Sequence, residues 1–377
     1  MPDAAYPAAR AIALRIEEHF VRHGAAARRG GRDDVAAAPD REAVEAIINA
    51  AFWASLRREE GMTPRISLAY LPPGEARHAL MFAERLPLRP AAIARLAPAV
   101  ERPGIHLGVW RENGDLAVWG TTRVTPPFGL VVEVVASGLL VVKHRVDPIG
   151  KFVNVAVLEG DQVKVVDEGF SATPDCPGPV RSLLGFDTPV GFGTVDVLVL
   201  LAVSMRGHGR GGTLLVVPGV TDEWRQSIVD PVLYSITPPF SELADLMRRE
   251  VTEATRHDWQ DDLRRAVDAV AGLTAVDGAT VITNRYEIVA FGAKITRRRG
   301  NPSVERVVVT EPVEGAVTEL ATPAQLGGTR HLSAAQFVHD QRGAIALVAS
   351  QDGRFTIFKW SPTDGMVHAH RVEALLL

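Results

Sequence analysis

The chain has 377 residues, 46% hydrophobic and 23% charged, and carries a net charge of -4 at pH 7. That length exceeds what one hydrophobic core usually supports, so two domains are expected, and the mild negative charge excludes the basic footprint of a dedicated nucleic-acid binder. A single cysteine, Cys176, excludes an intramolecular disulfide framework and a multi-cysteine zinc site. It fits a reducing compartment, and a cytoplasmic location is expected.

Met1 to His23 lacks the apolar core of a secretory signal, because Arg10, Arg15, Glu17 and Glu18 interrupt it. The longest apolar runs, such as Val195 to Met205, fall short of the roughly 20 residues that span a bilayer, so no membrane association is expected. Ile12, Ile16 and Phe20 recur at fourth positions and predict an amphipathic helix over 7–23, ended by Gly24. Ala25 to Pro39 has no periodicity and reads as a connector. Asp40 is placed to cap a helix from Arg41 to about Arg58, with Val44, Ile47, Ile48, Ala51 and Phe52 as its buried stripe.

From Ile105 to Asp167 the pattern alternates. Two runs, 107–110 and 116–119, flank Glu112-Asn113-Gly114-Asp115, a hairpin signal because Asn-Gly tolerates positive φ. Further strands are predicted over 130–135, 138–143, 153–158 and 162–166, with Gly160-Asp161 as a turn. Trp110 and Trp119 could form a stacking surface for a sensed ligand or simply pack across strands. Gly169 to Gly191, with four prolines, reads as a linker. Beyond it, helices are expected over 195–205, 228–251 and 259–271. Strands are expected over 213–217, 280–283, 288–294, 306–310, 344–350 and 354–360. This alternation predicts an α/β fold on a mixed β-sheet wrapped by helices, preceded by an α+β N-terminal region with a β-rich segment. The expected domains are 1–175 and 190–377.

Two islands carry the chemistry. Asp277-Gly278-Ala279 offers a carboxylate for Mg²⁺ or Mn²⁺ beside small residues that let a nucleotide approach the backbone, although Asp-Gly is also an everyday turn. Gly327-Gly328-Thr329-Arg330-His331 adds open N–H groups, a hydroxyl and charge-assisted donors suited to a polyphosphate. Ser333 to Val338 is compatible with a helix whose N-terminus favours an anion. Gly207 to Gly212 lacks the Gly-Lys-Ser/Thr ending of a phosphate loop and precedes a strand, so it is kept only as a wall of the site. His368 and His370 have metal-like spacing but no carboxylate cluster beside them, and Arg297-Arg298-Arg299-Gly300 reads as a solvated hairpin.

Asp277-Gly278-Ala279, then Gly328-Thr329-Arg330-His331, then Ser350-Gln351-Asp352-Gly353, with the strand Gly212 to Val217 upstream, resembles the diadenylate cyclase domain over about residues 190–377. The N-terminal half, around Ala51 to Arg57 and the β-rich segment, is similar to DACNV, a probable sensor domain. The resemblance implies joining of two ATP molecules into cyclic di-AMP with release of two pyrophosphates, across a homo-oligomer whose cyclase faces meet. It implies Asp277, Arg330 and His331 as catalytic residues, and Gly278, Ala279, Gly328, Thr329, Ser333 and Ser350 around the nucleotide. Asp277 and Asp352 would be the metal ligands. Two departures stand out: Leu332 occupies the place of a second Arg, and Gln351 that of an acidic residue. They leave open a catalytically degenerate nucleotide-binding regulator on the same fold, and an interaction protein worked by its N-terminal region is a third reading.

Overall fold

In a computed structural model, residues 5–58, 64–76, 78–112, 114–146, 152–185, 196–249 and 256–377 are described. Contacts within the chain divide it into two units, Met1–Val166 with Leu377, and Asp167–Leu376. The chain is of mixed α/β class, each unit being built on a mixed sheet.

In the first unit, helix α1 (Pro7–Arg29) opens with proline at its first position and buries Ile12, Ile16 and Phe20. It runs through Gly24, against expectation. A mid-helix glycine costs only about 1 kcal/mol, and this one is buried, with the Val35 side chain against it. The stop comes at Gly30 and Gly31, the latter at φ +84°, so the connector begins there. Helix α2 (Arg41–Ser55) starts as expected, Ala43 N–H donating to Asp40 Oδ1 at 2.8 Å. It ends before Arg58, where the Ser55 hydroxyl donates back to the Phe52 carbonyl at 2.6 Å.

Strand β1 (Ile66–Tyr70), strand β2 (Leu80–Pro87) and helix α3 (Pro90–Val100) follow, and periodicity had signalled none of them. Strands β3 (His106–Glu112), β4 (Asp115–Thr122), β5 (Val131–Ala136), β6 (Leu139–Arg145), β7 (Phe152–Glu159) and β8 (Gln162–Val165) match the alternating segment. Gly114 has φ +93° in the β3–β4 turn, while Asn113 lies outside the described residues. The sheet order is β2-β4-β3-β1-β5-β6-β7-β8, with β1 and β3 parallel and the other neighbours antiparallel. Helix α2 covers β1, β5 and β6. Trp119 is a core residue and not a stacking surface. Its indole N–H donates to the Leu71 carbonyl at 2.9 Å, and its ring fills the space beside Gly108, where an added Cβ would come within 2.0 Å of it. Trp110 packs on Tyr70, ring centres 4.7 Å apart.

The second unit begins at Asp167, so it takes in the segment read as a linker. Among its described residues that segment holds a 3₁₀ turn (Glu168–Ala172) and helix α4 (Gly178–Leu183), while 186–191 lie outside them. Helix α5 (Val197–Gly207) is capped by Asp196, and strand β9 (Gly212–Val217) follows. The helix expected over 228–251 is instead strand β10 (Tyr234–Phe240) and helix α6 (Glu242–Arg248), with 250–251 outside the described residues. Pro231, Pro238 and Pro239 explain the difference: proline breaks a helix interior but is tolerated on a sheet edge, where β10 lies. Then come helix α7 (Arg256–Thr274), strands β11 (Ala279–Thr283), β12 (Ile288–Ala293), β13 (Val307–Thr310) and β14 (Glu319–Ala321), and helices α8 (Pro323–Leu326) and α9 (Thr329–Asp340). Strands β15 (Ile345–Ala349), β16 (Phe355–Ser361) and β17 (Met366–Arg371) complete the unit.

The order of the second sheet is β10-β12-β11-β9-β15-β16-β17-β13-β14. Strand β9 pairs parallel with β11 and antiparallel with β15. Leu215 and Val217 of β9 share a core with Ala334, Phe337 and Val338 of α9. Leu214 and Val216 point to the opposite face by the period-2 rule, the face on which α7 packs.

Candidate functional site

Strand register gathers the site. Thr280 pairs with Leu214 in the parallel β11–β9 ladder, and Ala349 pairs with Gly212 in the antiparallel β15–β9 ladder. The start of β9, the start of β11 and the end of β15 therefore lie at one end of the sheet. Ala279 pairs with Ala293, which brings the end of β12 to the same place. The N-terminus of α9 completes the rim. Open α/β sheets usually bind ligands at the carboxyl ends of their parallel strands. Here the cavity forms at the amino ends of β9 and β11, because two antiparallel partners and a helix N-terminus converge there.

The cavity has a volume of about 630 Å³. The residues that the resemblance implied around the nucleotide and metal line it: Asp277, Gly278, Ala279, Gly328, Thr329, Arg330, His331, Ser333, Ser350 and Asp352. Thr213 and Lys294 line it as well. The carboxylate of one island and the guanidinium of the other, more than fifty positions apart, face a common space.

Gly278, at φ +110°, makes the tight turn that presents Asp277; a Cβ there would lie 2.5 Å from the Gly292 backbone. The Asp277 side chain is 90% exposed and ion-paired through Oδ2 with the Lys294 ammonium. Lys294, and then Arg330, hold its carboxyl below the ordinary carboxylate range. It is a carboxylate at neutral pH and a weak proton acceptor.

Helix α9 starts at Thr329 behind Gly328, which offers no side-chain cap. His331 N–H donates to the Gly328 carbonyl at 3.0 Å, which leaves the amides of Thr329 and Arg330 and the positive end of the dipole at the cavity, an arrangement suited to an anion. Among the described residues, the Arg330 guanidinium has no hydrogen-bond or ion-pair partner. Its guanidinium lies over Gly211 (φ +69°), where a Cβ would be 3.0 Å from Nη1. Of the Gly207–Gly212 segment, Gly211 lies behind Arg330 and none lines the cavity, while the Gln351 amide donates to the Arg210 carbonyl at 3.3 Å.

His331 departs from its expected role as a charged donor. It is buried, with Nε2 3.3 Å from Thr356 Oγ1. Burial, more than the cations Arg354 and Arg330, holds its pKa below the ordinary histidine value, so the imidazole is neutral at pH 7. The ring packs against Gly327, where a Cβ would lie 2.4 Å from Nδ1. Leu332 is 44% exposed in the first turn of α9. Asp352 is held by Arg354 at 3.4 Å.

Asp277 and Asp352 are oxygen donors of the kind that Mg²⁺ and Mn²⁺ accept alongside substrate phosphates and water. Among the described residues, neither belongs to a cluster of three metal-ligating side chains. The residues fit a divalent ion that takes most of its ligands from a bound phosphate; at Asp277 the Lys294 ammonium already holds Oδ2. Sequence reasoning missed Lys294. The signal was the β11–β12 hairpin, whose register places the residue after Ala293 opposite the Asp277-Gly278 turn.

The other candidates lie elsewhere. Thr310 Oγ1 holds His370 Nδ1 at 2.8 Å, and Asp364 holds His368 Nε2 at 2.6 Å. The 297–300 segment is a turn rather than a hairpin, pinned where Arg298 N–H and Asn301 Nδ2 donate to the buried Asp340 carboxylate at 2.8 and 2.9 Å.

Residues 33–123 match the family described as "Probable sensor domain DACNV", within the first unit. None of the curated proteins matches the chain. Among solved structures, the chain is similar to a hypothetical membrane spanning protein from Bacillus cereus at 14% identity and TM-score 0.26, over 46% of this chain and 61% of that one. It is also similar to DacA from Staphylococcus aureus, a double mutant, at 15% identity and TM-score 0.24, over 45% of this chain and 82% of that one. Scores this low fix neither fold nor function, and the chain spans about three-fifths of the first of these structures. Fold and site thus define a mixed α/β protein with a mixed-charge cavity at a sheet end, on the same chain as a segment matching a probable sensor domain. No helix among the described residues is long and apolar enough to cross a membrane.

Proposed function

We propose that the second unit binds ATP in this cavity and joins two ATP molecules into cyclic di-AMP, under the control of the first unit acting as a sensor. The observation that carries the reading is the convergence of Asp277, Thr329, Arg330 and the α9 N-terminus on one cavity of about 630 Å³. The α9 amides and Arg330 hold the phosphates, and Gly278 and Ala279 let the nucleotide lie against the backbone. The 3′-hydroxyl of one ATP attacks the α-phosphorus of the other as its proton passes to solvent water, the bond from that phosphorus to the oxygen bridging to the β-phosphate breaks, and pyrophosphate leaves with that oxygen. Arg330 offsets the charge that develops on the leaving group. A divalent ion held by Asp277 would lower the pKa of the attacking hydroxyl and neutralise phosphate charge. Because each ATP supplies a nucleophile to the other, two copies of the cavity must face each other in a homo-oligomer.

Full-length protein incubated with ATP and Mg²⁺ or Mn²⁺ is expected to yield cyclic di-AMP by mass spectrometry, and Asp277→Asn to yield none. Absence of product with every metal and nucleoside triphosphate overturns the cyclase reading. Exposed Leu332 and the Gln351 side chain, turned to the Arg210 carbonyl, support a second reading, a nucleotide-binding regulator without turnover. Saturable ATP binding without product would establish it, and absence of binding by calorimetry would remove it.

A further inference from the structure

Lys294 is delivered to Asp277 by the sheet. Its backbone is fixed from both sides: Ala293 pairs with Ala279 across the β11–β12 hairpin, and the Lys294 carbonyl accepts from Val229 N–H at 2.8 Å. From that position the ammonium reaches Asp277 Oδ2 and lines the same cavity as Arg330. The formal charges lining the cavity cancel, since Asp277 and Asp352 are balanced by Lys294 and Arg330 while His331 is neutral. Without a phosphate present there is no excess of negative charge to draw in a divalent ion. Lys294 is also half exposed and rests on a flexible stem, so it can swing away.

We infer that Lys294 is a tethered cation occupying the Asp277 oxygen at which a divalent ion would bind, so that the ion and the ammonium exclude each other. This rests on the nucleotide-binding reading for its purpose, since a bound triphosphate supplies the charge that brings the metal in and gives the displaced ammonium a new partner. The released Lys294 then stands as a phosphate donor in the cavity where Leu332 supplies none. Metal binding is thereby made conditional on nucleotide binding.

The test uses the full chain and Mn²⁺ alone, with free Mn²⁺ followed by electron paramagnetic resonance. Removing one positive charge a few ångströms from a divalent ion should tighten Mn²⁺ binding about tenfold or more in Lys294→Met. Lys294→Arg keeps the cation and should bind Mn²⁺ as weakly as wild type. Adding Asp277→Asn to Lys294→Met should abolish the gain, which locates it at this carboxylate. If Lys294→Met binds Mn²⁺ no more tightly than wild type, the inference is overturned. ATP titrated into wild type in the presence of a chelator, by calorimetry, tests the nucleotide reading separately.

Discussion

At the scale of single residues, two buried groups show what the packing demands. Gly108 faces the Trp119 ring, and any side chain there must displace the indole from its bond to Leu71. Overpacking of this kind costs about 1–3 kcal/mol, so Gly108→Ala should lower the melting temperature by several degrees, read by circular dichroism. An unchanged melting temperature would mean that Trp119 has room to move. His370 writes a pH dependence into the fold, its imidazole being pushed down to about 3 by burial first and by His368 and Lys359 next. Above its ordinary value of 6.5 the residue is neutral in both states and carries no penalty. As pH falls below 6.5, the unfolded chain takes a proton that the folded one refuses, and stability drains away until about pH 3. The melting temperature should fall between pH 6.5 and about 4, and fall less steeply in His370→Gln. Parallel slopes for the two proteins would rule His370 out as a source. Asp277 and Arg330 were legible through the order of short motifs shared with a known family, since Asp-Gly by itself is an everyday turn. Lys294 stayed hidden, since a lysine at a strand end looks like any solvated residue until the hairpin register is known.

Among elements, legibility followed the strength of the local pattern. The strands β3 to β8, apolar-rich and bounded by turn signals, lie close to the ends expected for them. Strand β10 lies in the stretch 228–251 expected to be helical, where Pro231, Pro238 and Pro239 break the helix. Helix α3 escaped because Pro90 opens it and Pro98 sits inside it. Helix α2 was recognised from its cap, and that cap can be measured. Asp40 accepts from Ala43 N–H and also from Arg111 Nη2, at 2.7 and 2.9 Å. Asp40→Ala should cost about 1 kcal/mol or somewhat more, while Asp40→Asn keeps the cap and loses only a partly exposed ion pair, so it should cost less. Equal losses in thermal melts of the two variants would assign the stability to the ion pair instead.

At the scale of the whole molecule, each unit has its own sheet and its own core, one around Ile47, Leu68 and Leu140, the other around Leu215, Phe337 and Phe358. Fragments 1–166 and 167–377 should therefore each fold alone, showing native-like circular dichroism and a cooperative melt. A fragment without a cooperative transition would show that it depends on the other. The alternation of strand and helix textures along the chain foretold the mixed α/β class. It could not foretell which strand ends would meet, since that depends on pairings between residues far apart in sequence.

The order in which those pairings become available has a consequence for the newborn polypeptide. Asp277 and the Thr329–Arg330 turn are synthesised well before Ser350 and Asp352, which reach the rim only when β15 pairs beside β9. A chain halted at Asp340 would carry both islands yet have an open wall where the returning strand belongs. On the proposed nucleotide-binding reading, ATP capture waits until β15 has been made and paired beside β9, and a chain released at Asp340 is expected to be inert toward nucleotide.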